Sequence, residues 1–445
     1  MKFTKFGKAL LMSALSAGII LGVSSCVRSY TVGFLYVTGT QTAGTGNNGI
    51  VTGFKIDHNT GKLTSINTLP VASGGANPVR AILTLGSRFI YVLNRGESAD
   101  GQPCSTADPC QNPNITQFAV GGNGVLTPEE SFTTQGKNPF RMFADATGNF
   151  LFVLDHDAPE TTYCSTAILG ATSCGDITVF QINQTTGRLS LVTNTQVSTN
   201  LSQPLTYFPV PANPVDFVLA SNNYVLTLSG AVASGYPYTS GSVVFPYTYS
   251  PATGQLTVGA NSAYSIGANA GTAIDSAGGV VYILDNEAPS LSTDGAVSQI
   301  LPFTCCATGG ALQAESTGAV ADDPTLSYPL FVMLENKGKY LYVLNQNANT
   351  AESTNPNGGI AAFLVNSPYQ LTATSPTTFT GVGSAPQCMV EDPSYQFFYT
   401  ASSDGTVALR VFDPNAGSLN PSNHAANSYT LAGPATWCVT DGRTD

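Results

Sequence analysis

The stretch Asn77–Asn94, NPVRAILTLGSRFIYVLN, reads as two apolar strands joined by a tight turn at Gly86-Ser87. Versions of it return down the whole chain as four signals in fixed order. The first is an Asn/Ala/Gly-Pro step into an apolar strand, at Pro78, Pro139, Pro214, Pro329, Pro386 and Pro434, with a degenerate copy near Asn269. The second is an aromatic-Val strand after a Gly-containing turn, as in Tyr91-Val92, Phe152-Val153 and Tyr342-Val343. The third is a Val/Ile-x-x-Phe strand, as in Ile115 to Phe118 and Ile177 to Phe180. The fourth is a Thr-Gly-x-Leu turn that opens another strand.

The leucines of the fourth signal are Leu63, Leu126, Leu189, Leu256, Leu312, Leu371 and Leu419, about 50 to 65 residues apart. They imply seven units of four strands each. One four-stranded antiparallel sheet cannot bury both of its faces, whereas radial stacking buries each sheet against the next. The predicted fold is therefore all-β, a seven-bladed β-propeller of four-stranded antiparallel blades. A pair of β-sandwiches is the alternative, but it does not predict one four-part signature repeated seven times. The unpartnered strand Phe34-Leu35-Tyr36-Val37 and the single strand after Pro434 predict a closing blade shared by the two ends of the chain.

Composition agrees. Charged residues make up only 10% of the 445 residues, while Gly numbers 45 and Tyr plus Phe 41. That balance argues against a helical solenoid and suits many short strands with tight turns. A net charge of -11 disfavours nucleic acid as a partner. Residues 1–25 read as an export signal: Lys2, Lys5 and Lys8 precede an apolar run from Ala9 to Val23. The following Val23-Ser24-Ser25-Cys26 resembles a bacterial lipobox, with Cys26 the lipidated residue. An ordinary secretory signal is the alternative. Residues 26–33 are then a lipid-anchored linker and 34–445 the propeller. The expected location is the cell envelope, on the periplasmic, outer-membrane or extracellular side. Membrane contact is expected only through the lipid, and the protein is expected to be a monomer.

Eight cysteines follow Cys26, an even number for an oxidising compartment. Cys104 with Cys110, and Cys164 with Cys174, read as local disulfides in long loops. Cys305-Cys306 suggests a vicinal pair and leaves Cys388 with Cys438, although free thiols or a swapped pairing stay open. No cysteine and histidine spacing suits zinc.

The aromatic-Val, Val-x-x-Phe and Thr-Gly-x-Leu strands resemble the lactonase family of seven-bladed propellers, which includes bacterial 6-phosphogluconolactonases, and overlap the YVTN-type surface propellers. The resemblance implies hydrolysis of a lactone.

In such a fold the long connections, including Arg95–Asn114, His156–Asp176 and Gln346–Gly358, all fall on one face. Rigid scaffolds carry binding sites on such loops. Lactone hydrolysis needs a base and a cationic oxyanion partner. The candidate catalytic residues are His156, Arg80 and Arg141, with Asn94, Arg95, Asp155, Asp157 and Asp216 as ligand-binding candidates. Each has a plainer reading, as a solvated loop residue or, for the arginines, a partner of blade carbonyls or of Asp216. No cofactor is expected, although the Asp/Asn clusters at strand ends are hard-oxygen donors of the type Ca²⁺ takes. The ligand is a small lactone or carbohydrate. The alternative is a non-catalytic envelope scaffold that binds a glycan, peptide or partner protein, or a surface-layer role.

Overall fold

The computed structural model describes residues 30–41, 48–84, 86, 88–98, 110–164, 172–194, 205–230, 241–258, 264–267, 270–286, 298–307, 309–314, 318–348, 357–366, 370–379 and 381–442. Seven antiparallel sheets form the blades of a β-propeller. Blade one takes its inner strand from the C-terminus, Ala435–Asp441, and continues outward through Thr31–Thr40, Gly49–Asp57 and Leu63–Ser65. Blade two is Pro78–Leu83, Phe89–Asn94, Asn114–Val120 and Leu126–Thr133. The inner strands of blades three to seven are Lys137–Ala144, Pro214–Ala220, Gly271–Ala277, Leu326–Leu334 and Pro386–Glu391. Each inner strand touches the next, and the last touches Ala435–Asp441, which in turn touches Pro78–Leu83. The ring is closed.

The first strand begins at Thr31, paired with Asp57, so the propeller starts three residues before the expected boundary at Phe34. In five blades the outermost strand is split into two short pieces that pair with opposite ends of the third strand. The expected signal peptide, the linker up to residue 29, Cys26 and Cys104 lie outside the described residues.

The sequence motifs are explained by what they touch in the neighbouring blade. The second-strand tyrosine of one blade donates its hydroxyl to the glycine carbonyl of the next blade's Thr-Gly-x-Leu or equivalent turn. Tyr36 reaches Gly124 O at 2.8 Å, Tyr342 reaches Gly417 O at 2.8 Å, and Tyr399 reaches Gly61 O at 2.6 Å across the closure; Tyr91 bonds Gly187 O in the same way. All four tyrosines are buried. The glycine is needed twice over. Gly61 has φ +68°, and a Cβ there would come within 2.6 Å of the Phe397 ring. Blade three has Phe152 at the tyrosine position, and the contact reverses: Tyr249 of blade four bonds Asp145 of blade three at 3.0 Å. Around these bonds each blade interface holds its own cluster of buried apolar side chains.

The short 1–2 turns are built on carboxylates. Asp392 accepts the backbone N–H groups of Ser394, Gln396 and Phe397, each at 2.8 Å. Glu335 and Asp145 do the same in blades six and three. The residue ahead of the lead proline is left-handed: Asn77, Asn138 and Asn213 have φ of 51°, 55° and 53°. Asparagine tolerates that region best among residues with a side chain, which accounts for the Asn-Pro step.

Cys164–Cys174, Cys305–Cys306 and Cys388–Cys438 are disulfides, and Cys110 is also disulfide-bonded. The Cys388–Cys438 bridge joins the inner strand of blade seven to the C-terminal strand. The C-terminal strand is thus held by its ladder to Thr31–Thr40, by this bridge, and by Thr440 Oγ1 donating to Glu391 O at 3.0 Å.

Deleting Ala432–Asp445 removes one side of the closure and is expected to abolish the cooperative thermal transition seen for the full chain, rather than trim a tail. Replacing Tyr399 by Phe strands a buried carbonyl; denaturant melts should show a loss of about 1–3 kcal/mol. Burial pushes the carboxyls of Asp322, Asp275 and Glu391 up to about 7. The folded state then holds these protons to higher pH than the unfolded chain, whose carboxyls titrate near about 4. Their stabilisation is complete below that value and is lost as pH rises through about 7. The melting temperature is expected to drop by several degrees between about pH 5 and pH 8, and to drop less in Asp322→Asn.

Candidate functional site

A proline at or near the start of an inner strand cannot donate to the ladder, and just past this position every inner strand departs from regular pairing. One residue is inserted opposite the second strand in all seven blades. The inserted residue is Val79 in blade two, Phe140, Val215, Thr272, Leu330 and Gln387 in blades three to seven, and Thr436 in blade one. A bulge of this kind bends the strand and re-aims a side chain. All of these residues except Val215 line a cavity of about 410 Å³ at the mouth of the central channel. This ring was not anticipated from sequence, although the recurring lead proline was the available signal.

Arg80, Arg95, Arg141 and His156 line the same cavity. They come from four different segments of the sequence, and the ring brings them together at blades two and three. Arg80 and Arg141 also line a second chamber of about 370 Å³ that continues down the channel, so the two arginines stand where the chambers meet. Arg141 Nε bonds Asp216 Oδ1 at 3.1 Å. Asp216 is further engaged by the backbone N–H groups of Phe217 at 3.0 Å and Ile274 at 3.2 Å. It serves as the counter-charge of Arg141 and does not line the mouth. The guanidinium of Arg80 lies over the Trp437 ring at 3.4 Å. The last blade's bulge places Trp437, not Thr436, in the rank of Arg80, Arg141 and Asp216. Cys388 leaves that rank for its disulfide and is fully buried.

The electrostatics favour an anion. Burial, then the charge of Arg141, pushes the Arg80 guanidinium well below its usual value, and Asp216 offsets this only in part. Burial also lowers Arg95, with Asp157 opposing and Arg141 adding to the effect. Cations crowded together away from water gain from an anionic ligand. Two polar atoms at the cavity, Arg95 Nε and Thr272 Oγ1, are buried without a hydrogen-bond partner. Each is a group whose desolvation a ligand would offset.

His156 Nδ1 lies 3.0 Å from Asp157 Oδ1, and Asp157 Oδ2 accepts from Asn138 Nδ2 at 2.9 Å. These contacts, led by the His156 hydrogen bond, hold the Asp157 carboxyl below its usual range. With Nδ1 engaged, Nε2 is the ring nitrogen left for other partners.

Asn94 and Asp155, expected beside the ligand, are instead completely buried and face the blade connections. Asn94 takes Ser73 Oγ at 2.6 Å and donates to Asn114 Oδ1 at 2.8 Å, tying blade two to the chain arriving from blade one. Asp155 shares Thr178 Oγ1 with Asp176, and burial raises both carboxyls well above the usual range. These polar strand ends anchor loops. Among the described residues no group of three or more His, Cys, Asp or Glu side chains is placed to hold a metal ion.

Residues 45–204 match the family model described as Lactonase, 7-bladed beta-propeller. No curated protein matches the chain. Among solved structures, the Pseudomonas aeruginosa periplasmic gluconolactonase PpgL is 16% identical with a TM-score of 0.62, over 92% of this chain and 99% of that one. A Bacteroides fragilis protein with the provisional description 6-phosphogluconolactonase is 17% identical with a TM-score of 0.60, over 92% and 98%. A Lactobacillus plantarum protein is 14% identical with a TM-score of 0.61, over 93% and 99%. At these identities the likeness is one of fold. The repeat signature and the closed ring of seven blades make this chain a seven-bladed β-propeller, similar over residues 45–204 to the lactonase family.

Proposed function

We propose that the protein is an exported, lipid-anchored hydrolase of a sugar or other lactone, with its site in the mouth cavity. The observation that carries the reading is the convergence of three guanidiniums and one imidazole on a single cavity of about 410 Å³. His156, oriented by Asp157, takes a proton from water as that water adds to the lactone carbonyl carbon. The carbonyl oxygen becomes an oxyanion beside the guanidiniums, which stabilise it more than they do the neutral ester. The imidazolium then protonates the departing ring oxygen as the carbon–oxygen bond breaks. The product is a hydroxy-carboxylate, an anion that the same arginines hold.

Two fold neighbours carry gluconolactonase or phosphogluconolactonase descriptions, which supports the reaction class. Export is supported by the signal-like residues 1–25, by Cys26 in its lipobox-like setting, and by the disulfides, which belong to oxidising compartments. A phosphorylated lactone is not expected in such a compartment, so an unphosphorylated one is the first choice of substrate.

The mature protein should be assayed on a panel of unphosphorylated lactones. His156→Ala is expected to lower kcat about 10²–10⁴-fold, the usual worth of general-base help. Arg141→Ala is expected to cost about 10²-fold or more, as loss of an oxyanion partner does. Turnover that both variants leave unchanged would remove the site from consideration. Absence of turnover on the whole panel, with glycan or protein capture at this face, would favour the scaffold role.

A further inference from the structure

The chamber below Arg80 and Arg141 differs in chemistry from the mouth. The mouth carries Thr272, Gln346, Gln387 and Thr436 beside its charged groups. The lower chamber, about 370 Å³, is walled by Phe143, Phe217, Leu219, Phe331, Met333 and Trp437. The aromatic groups pack on one another, with Phe143 and Phe217 centroids 4.4 Å apart and Phe331 and Trp437 5.3 Å apart. Apart from the two arginines, its polar lining is Asp216, Asp275 and Ser276. Asp216 is occupied by Arg141 and by two backbone N–H groups. Asp275 accepts the N–H of Ser276 at 2.8 Å, and burial keeps its carboxyl protonated up to about pH 7. A concave wall of this size that presents aromatic and aliphatic side chains beside two guanidiniums has the make-up of a pocket for an amphiphilic ligand.

We propose that this chamber binds the apolar chain of an amphiphilic lactone and of its carboxylate product, with Arg80 and Arg141 marking the junction between polar head and chain. The inference rests on the mouth as the seat of the head group. It narrows the substrate class from sugar lactones to lactones that carry an alkyl or aryl substituent. The polar ring sits among the threonines and glutamines of the mouth, and the substituent passes the arginines into the aromatic chamber.

Trp437 is the only tryptophan in the chain and forms part of the chamber wall, so its emission reports occupancy without any turnover. The mature protein is titrated with a series of straight-chain carboxylates of increasing length, and with gluconate as a polar anion of the same charge. Affinity is expected to rise about fourfold per added methylene until the chamber is full, the value for burying one methylene group. Trp437 emission should shift with the long chains and not with gluconate. Ala144→Phe and Ser276→Phe fill the chamber from two different strands. Each is expected to abolish the gain with chain length while leaving acetate and gluconate binding as in the parent; a variant whose thermal melt is not parent-like is set aside in favour of the other.

Affinity independent of chain length would overturn the proposal. So would a chain-length effect that leaves Trp437 emission unchanged or survives both fillings. The binding series and the lactone assay fail separately: long-chain carboxylates excluded from a protein that opens sugar lactones would sink the chamber alone. Chain-dependent binding without turnover would sink the hydrolase reading alone.

Discussion

The contact on which the ring depends is the tyrosine hydroxyl that crosses from one blade to a glycine carbonyl in the next. A four-stranded sheet has no edge or face that is stable in isolation, so a blade is defined by what its neighbour supplies. The hydroxyl supplies a fixed point. It satisfies a turn carbonyl that would otherwise be buried unpaired, and it sets the distance at which the apolar faces meet. The glycine lets the turn close with positive φ and lets the aromatic ring lie flat against it. The last such bond, Tyr399 to Gly61, runs from blade seven to blade one, so the interaction that joins ordinary neighbours also joins the two ends of the chain. The Cys388–Cys438 bridge reinforces the same seam from the inner side, closing a loop of 50 residues. A loop of that length is one where a crosslink removes much disorder from the unfolded chain, worth roughly 4 kcal/mol.

This is also why the architecture was legible before the structure. The aromatic-Val strand and the Thr-Gly-x-Leu turn are the two halves of one interface, so most copies carry both. A signal repeated because physics repeats it can be counted, and counting leads to seven blades and to the splice. The Asn-Pro step was legible for a related reason: few residues other than asparagine accept the left-handed geometry ahead of the proline. Tyr328 and Ala385, with φ of 57° and 47°, show that the geometry is kept even where the residue is unfavourable.

The site was legible only in part, and the misreadings have two causes. Spacing along a strand assumes regular pleating, in which alternate residues share a face. The bulge after each inner strand's start breaks that rule and turns two successive residues toward the channel. Arg80 and Arg141 were found because they fall two places after a proline. Val79, Phe140 and Thr272 were not, and in the closing blade the bulge puts Trp437 at the register position that Arg80 holds in blade two. Asn94 and Asp155 were misplaced for the complementary reason. A polar residue at a strand end looks like a ligand, but the chain connecting two blades brings backbone groups that also need partners. In this fold those partners come from the second-strand ends.

The charge distribution separates scaffold from site. A chain with 27 acidic and 16 basic residues has carboxylates to spare. Several of them bond to the backbone of the turns, as Asp392, Glu335 and Asp145 do. Among the described residues only Arg141 of the channel arginines has a carboxylate in direct contact, and Arg80 rests on an indole instead. A guanidinium held over an aromatic ring away from water keeps its charge at an energetic cost unless an anion arrives, because desolvation penalises it more than the ring repays. A stacked guanidinium also presents a polar edge to one side while the ring below stays apolar. That single pairing therefore accounts for the change of character along the channel: an anion-seeking mouth above, an aromatic chamber below, and the boundary set by where Arg80 meets Trp437.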